Sequence, residues 1–177
     1  MDAHKLEFPD GTFDLSYSIA TLEHCADPFT VMAEMKRVLR PGGHAYIQVA
    51  PLYCSPFGHH MFGYFDDFPW IHLRKSRSEI IELCHLKKLA ASIEANTGQT
   101  VEQYIEGMIN PQHINGKTYA EYRLEEFVSA GDIEVVFFNR SYEGKDLLTT
   151  DIRAELPGYT ADDLVSHGFE LVFRKTT

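Results

Sequence analysis

The sequence predicts an α/β fold, and three observations carry that prediction. Phe13, Leu15, Tyr17 and Ile19 alternate with Asp14, Ser16 and Ser18, which is the period of a strand. Val31, Met32, Met35, Val38 and Leu39 then recur at helical spacing on one face. Ala45, Ile47 and Val49 open a second alternating run after Pro41-Gly42-Gly43. Strand, helix and strand in that order make a βαβ unit, whose strands are expected to be parallel with a right-handed crossover.

Residues 1–12 form a polar lead-in that closes on the turn signal Pro9-Asp10-Gly11. The helix after the first strand has Asp27 at its N-cap and Pro28 at its first position. Arg37 and Arg40 fall in its last turn, where cations complement the helix dipole, and Pro41-Gly42-Gly43 ends it. Residues 51–75 differ in kind, with Tyr53, Phe57, Phe62, Tyr64, Phe65, Phe68 and Trp70 interleaved with three histidines and three prolines. No period fits them, and a long irregular segment in a compact domain reads as a lid or binding loop.

Ser76 with Glu79 is a capping box, and a helix is expected from there to Asn96, stopped near Gly98. Thr100 with Gln103 is a second box, for a short helix ending before Pro111, with loop over 111–117. A helix is expected over 118–130 with Tyr119, Leu124, Phe127 and Val128 inward. Residues 133–139, IEVVFFN, read as a buried strand, and 140–158 as loop. Thr160 caps a short helix ending at Gly168, and FELVFR at 169–174 is the last strand. The link between the last two strands fits a crossover or an antiparallel return equally well.

A chain of 177 residues is expected to be a single domain. Its formal net charge of −10 argues against a nucleic-acid backbone as partner. The Arg74-Lys75-Ser76-Arg77 cluster is read as a solvated helix start. Cys25, Cys54 and Cys84 are odd in number and match no metal spacing, so they are read as free thiols of a reducing compartment. No apolar run approaches the ~20 residues of a membrane span, and residues 1–11 carry no signal-peptide core. A cytoplasmic location is the expectation.

One ordered set of motifs goes further. It comprises Asp2-Ala3, Leu6-Glu7-Phe8-Pro9-Asp10-Gly11, Phe13-Asp14, Leu22-Glu23-His24, Asp27-Pro28 and Arg37-Val38-Leu39-Arg40-Pro41-Gly42-Gly43. Residues 2–49 thereby resemble the second half of class I S-adenosylmethionine (SAM)-dependent methyltransferases of the type 11 group. The resemblance implies the later half of a Rossmann-like sheet of about four strands. Residues 13–18 and 44–49 are then its fourth and fifth strands, and 133–139 and 169–174 its last two, the final one antiparallel. Residues 51–117 would be the substrate-side insertion or lid of one partial domain. The family's cofactor loop is glycine-rich, yet the 12 glycines here include no Gly-x-Gly. A truncated or degenerate methyltransferase, binding SAM weakly or not at all on its own, is therefore expected.

The resemblance also implies roles for residues. Asp2 and Ala3 would meet the adenine of SAM; the alternative is a frayed terminus without contacts. Ser18, Ile19 and Ala20 sit at the carboxyl end of a strand, where open α/β sheets bind ligands, and would line the methionine end. His24 would face a small-molecule acceptor and take a proton from it, or else merely order the turn before Asp27. His59, His60, Tyr64, Trp70 and His72 would build the acceptor pocket or lid. His59, His60, Asp66, Asp67 and His72 are also ligand types for zinc or non-haem iron. Adjacent histidines match no justified ligand spacing, so no metal is assigned, and a metal-dependent enzyme remains an alternative. A non-catalytic module is a further one: with its neighbour strands absent, 13–19 becomes a sheet edge, and a homodimer covering it is expected.

Overall fold

The computed structural model describes residues 1–110 and 113–177. Four strands form one sheet: β1 (Phe13–Ile19), β2 (Leu39–Val49), β3 (Ile133–Tyr142) and β4 (Ser166–Lys175), in the order β1-β2-β4-β3. β1 and β2 are parallel, as a βαβ unit requires, and β4 runs antiparallel to both β2 and β3. The antiparallel return, not a crossover, therefore joins the last two strands.

Helix α1 (Pro28–Arg37) connects β1 to β2. Asp27 caps it by accepting from the Thr30 N–H, with Pro28 at the first position. Its apolar face brings Val31, Met32 and Met35 onto Ala45, Ile47 and Val49 of β2 and Phe169, Leu171 and Phe173 of β4. The helix stops at Val38, and β2 already begins at Leu39, so Arg40 and Pro41-Gly42-Gly43 lie in the strand. Arg40 therefore does not serve the helix end. Arg37 does more than face a dipole: it donates to Glu34, to Asp10 and to the carbonyls of Leu6 and Phe8, tying the lead-in to α1.

Residues 51–70 are a chain of turns leading into α2 (Ile71–Arg74). The helix expected over 76–96 is two helices, α3 (Arg77–Leu86) and α4 (Ala90–Thr97), separated where Lys88 takes φ +56°. Both capping boxes form, on α3 and on α5 (Val101–Ile109). These helices and residues 61–71 share a core of Met61, Phe65, Ile71, Ile80, Ile93 and Ile105. Part of the region read as an irregular lid is thus a packed helical unit. The loop expected at 111–117 falls partly outside the described residues. The helix expected over 118–130 shrinks to a 3-10 turn, Ala120–Tyr122, and α6 (Leu124–Val128), broken by Arg123 at φ +54°. A short α7 (Thr150–Glu155) interrupts the expected loop, and α8 (Ala161–Val165) carries the Thr160 cap.

One strand differs from expectation in what it buries, and in another the packing decides which face is covered. β3 was expected to be buried on both faces, but it is an outer strand with Val135, Val136, Phe137 and Phe138 all exposed. In β1 the serines face inward: Ser16 and Ser18 stand opposite Ala45 and Ile47, which are fully buried. Leu15, Tyr17 and Ile19 face outward and are 60%, 71% and 55% exposed. A register shift between Phe13 and Leu15 turns Phe13 toward the core instead.

Candidate functional site

The carboxyl ends of β1 and β2 converge on the residues with functional chemistry. After Ile19 the backbone turns at Ala20, with φ +46°, and its N–H donates to the Gln48 carbonyl. A 3-10 turn, Leu22–His24, follows at once. Asn115 clamps it from far along the chain: its N–H donates to the Glu23 carbonyl at 2.8 Å, and its side-chain amide to the carbonyls of Leu22 and Cys25 at 2.9 and 3.0 Å. His24 Nδ1 donates to the His113 carbonyl at 2.6 Å. That bond fixes the tautomer, leaving Nε2 as a lone pair with no hydrogen bond among the described residues, on an exposed side chain.

Glu23, beside it, is 1% exposed, and neither carboxylate oxygen has a hydrogen-bond partner among the described residues. Burial raises its carboxyl above the ordinary carboxylate range, against the opposing pull of its own backbone N–H and of His24. The loop after β2 supplies His60, whose Nδ1 donates to the Gly58 carbonyl at 3.0 Å, so its Nε2 is also bare. Gly58 makes that approach possible: a Cβ there would sit 2.1 Å from the Tyr53 carbonyl oxygen. The rings of His60 and His113 lie 5.7 and 5.0 Å from that of His24.

His59 and His72 lie one layer deeper, edge to face with ring centroids 5.5 Å apart. His59 Nδ1 accepts from the Met61 N–H, which leaves Nε2 protonated; His72 Nε2 donates to the Tyr53 carbonyl, which leaves Nδ1 bare. Burial depresses both imidazoles, to about 4 for His59 and about 3 for His72, so both are neutral. His59 is fully buried and His72 8% exposed. Both are thus packed beneath the surface, where His60 and His24 are not.

Trp70 and Tyr64 also lie elsewhere. Trp70 is fully buried, donating Nε1 to the carbonyls of Cys54 and Leu164, and packs with Leu156 and Leu164. It anchors the loop and has no surface to offer an acceptor. The Tyr64 hydroxyl joins Asn96 and Ser92 in the helical unit. Asp66 accepts from the Gly63 N–H and Asp67 pairs with Lys87, so neither approaches the histidines. Of the acceptor-side set, only His60 meets His24. Glu23, His113 and Asn115 complete the cluster; the Leu22-Glu23-His24 motif marks the first, and no local signal marks the other two.

A cavity of about 430 Å³ runs beside β1, lined by Ala3, Leu6, Phe8, Ser16, Ser18 and Ile19 among others. The hydroxyls of Ser16 and Ser18 are buried without partners among the described residues. Ala3, Ser18 and Ile19 thus share one groove, next to Ala20. Asp2 does not line it: its carboxylate accepts from the N–H and ring of His4 and is 70% exposed. For SAM, these residues fit one wall of a pocket, apolar with two unsatisfied hydroxyls.

Residues 1–47 match the family model of the methyltransferase domain. An uncharacterized methyltransferase of Schizosaccharomyces pombe is 43% identical over 49 residues, 28% of this chain and 18% of that protein. The 27-O-demethylrifamycin SV methyltransferase of Amycolatopsis mediterranei is 39% identical over 57 residues, 32% of this chain and 21% of that protein. The chain thus spans about a fifth of the length of these curated relatives. Among solved structures, a geranyl diphosphate methyltransferase in complex with SAM aligns with 100% of this chain and 56% of its own, at 15% identity and a TM-score of 0.43. No helix among the described residues is long and apolar enough to cross a membrane. Residues 1–47, which hold β1, α1 and most of β2, are thus similar to the methyltransferase domain.

Proposed function

We propose that this chain takes part in SAM-dependent methyl transfer to a small organic acceptor bearing an O–H or N–H. One observation carries the reading: His24, just past the carboxyl end of the strand that lines the groove, gives its Nδ1–H to the His113 carbonyl, and its Nε2 has no hydrogen bond among the described residues. Bound SAM supplies a methyl group on a sulfonium, and an acceptor displaces it in line. The residues of this chain would hold the reactants and take the acceptor's proton. Ala3, Ser18, Ile19 and Ala20 form the cofactor wall, Ser18 offering an unused hydroxyl. His24 Nε2 accepts the proton, and His60 flanks the acceptor. Asp2 contributes at the rim only if its bond to His4 opens.

The test is a titration with SAM, read by amide shifts or hydrogen exchange. Perturbation confined to Ala3 and residues 16–21 is expected even if affinity is weak. No response there at saturating SAM would overturn the cofactor assignment. A second reading, a dimerising module without catalysis, is favoured by the free outer edge of β1 and the exposure of Leu15, Tyr17 and Ile19. Sedimentation separates it: a monomer at micromolar concentration rules it out.

A further inference from the structure

We infer that Glu23, His24 and His60 form a binding site for one divalent transition-metal ion, with zinc the ion of choice. Their ligand atoms lie within 4.8 Å of one another. Among the described residues, both carboxylate oxygens of Glu23 lack partners, in a side chain that is 1% exposed. A buried carboxylate with no donor is costly unless a cation compensates it. Both histidines give Nδ1–H to a backbone carbonyl, His24 to His113 and His60 to Gly58. That is the arrangement by which ligating imidazoles are oriented and made more basic, with Nε2 left for the ion.

Two imidazoles and a carboxylate are a donor set suited to zinc or iron(II), with a fourth position open to solvent or substrate. Donors about 2.0–2.2 Å from a tetrahedral ion stand roughly 3.3 Å apart. Closing the observed spacing needs a modest movement, which the exposed His24 ring and the turn carrying His60 can supply. Cys25 follows His24, but its thiol donates to the Thr21 carbonyl, so a nitrogen–oxygen set is assigned. The five-residue set read from 59–72 does not assemble, and its two deep histidines spend one nitrogen each on the backbone.

This inference does not rest on the methyl-transfer reading. It competes with it for one atom, since an ion on His24 Nε2 excludes that nitrogen as proton acceptor. The full chain, stripped with chelator, is titrated with zinc chloride by calorimetry and with cobalt(II) by visible absorption, in the absence of SAM. One zinc per chain is expected, with a d–d spectrum free of thiolate charge transfer. Glu23→Gln and His60→Ala are each expected to weaken zinc at least ~100-fold, whereas His85→Ala, at an exposed helix position, leaves it unchanged. Because Glu23→Gln removes an uncompensated buried charge, its metal-free melting temperature is expected to equal or exceed the parent's, so lost binding is not lost folding. Absence of stoichiometric zinc, unchanged affinity in either variant, a cobalt–thiolate band, or a metal-free Glu23→Gln protein less stable than the parent overturns the assignment.

Discussion

Replacing Trp70 with Phe tests how the histidine-bearing loop is held. The indole N–H donates to two carbonyls, Cys54 at 3.1 Å and Leu164 at 3.0 Å. The Trp70 backbone N–H donates to Pro56 at 2.7 Å, so one residue joins the loop after β2 to α8. Trp70→Phe removes the donor and leaves two interior carbonyls without it, a cost of about 1–3 kcal/mol. The smaller ring also leaves a void of roughly 40 Å³, worth about 1 kcal/mol at ~24 cal/mol per Å³. The sum is a loss of about 2–4 kcal/mol, a large part of the stability of a typical domain. Trp70 is the single tryptophan, so unfolding in urea is followed by far-ultraviolet circular dichroism. A loss below about 1 kcal/mol refutes the two-acceptor anchor, because neither term alone would then be present. In native-state hydrogen exchange the His60 N–H, bonded to the Phe57 carbonyl, is expected to lose protection in the variant.

Other predictions concern the lead-in and the open edge. Glu34 accepts from Arg37 and from the Leu6 N–H, and the Arg37 bond pulls its carboxyl from the ordinary 4.5 down to about 2. The folded state therefore holds the carboxylate more tightly than the unfolded chain does. Its contribution is whole above pH 4.5 and lost as pH falls toward 2. Parent and Glu34→Gln unfolding curves should differ at neutral pH and converge across that window. A gap that persists at the acid end counts against the pair. Tyr17→Lys is expected to abolish any self-association seen by sedimentation while leaving the circular dichroism spectrum intact. An unchanged dimer would place the contact away from β1.

Caps are legible in the sequence because they are local. Asp27-Pro28, Ser76 with Glu79 and Thr100 with Gln103 each satisfy N–H groups within a single turn, and all three form. Helix interiors are less so. The breaks at Lys88 and Arg123 put ordinary residues at positive φ, where nothing in composition marks them. Strand period is legible but its orientation is not. Alternation in β1 says that two faces differ, and packing decides which is buried. The βαβ unit and its parallel pairing could be read because a helix between two strands leaves little choice. The site is legible only as far as Leu22-Glu23-His24. His60 reaches it through a glycine-dependent turn, and His113 and Asn115 reach it across some 90 residues of chain. The aromatic richness of 51–75 misleads for a physical reason: Phe65 and Trp70 are there to fill cores, not to meet a ligand.

The inverted burial of β1 links the groove to the sheet. Cross-strand partners place Tyr17, Tyr46, Val172 and Phe137 on one face. Tyr17 and Phe137 there are 71% and 48% exposed, a band of apolar side chains across the sheet. The opposite face is sealed by α1 and α6 against Ala45, Ile47, Leu171 and Phe173. Only β1 and β2 pair in parallel, the arrangement that ordinarily has both faces covered, and here the face that carries Tyr17 is left open. The same strand that carries the open band also lines the groove with Ser16 and Ser18, whose hydroxyls wait for partners. Anything that pairs with the free edge of β1 therefore meets both features at once: it covers Leu15, Tyr17 and Ile19, and it forms the far wall of the groove. Coverage of this edge and closure of the groove are in that sense one structural question, because one strand supplies both.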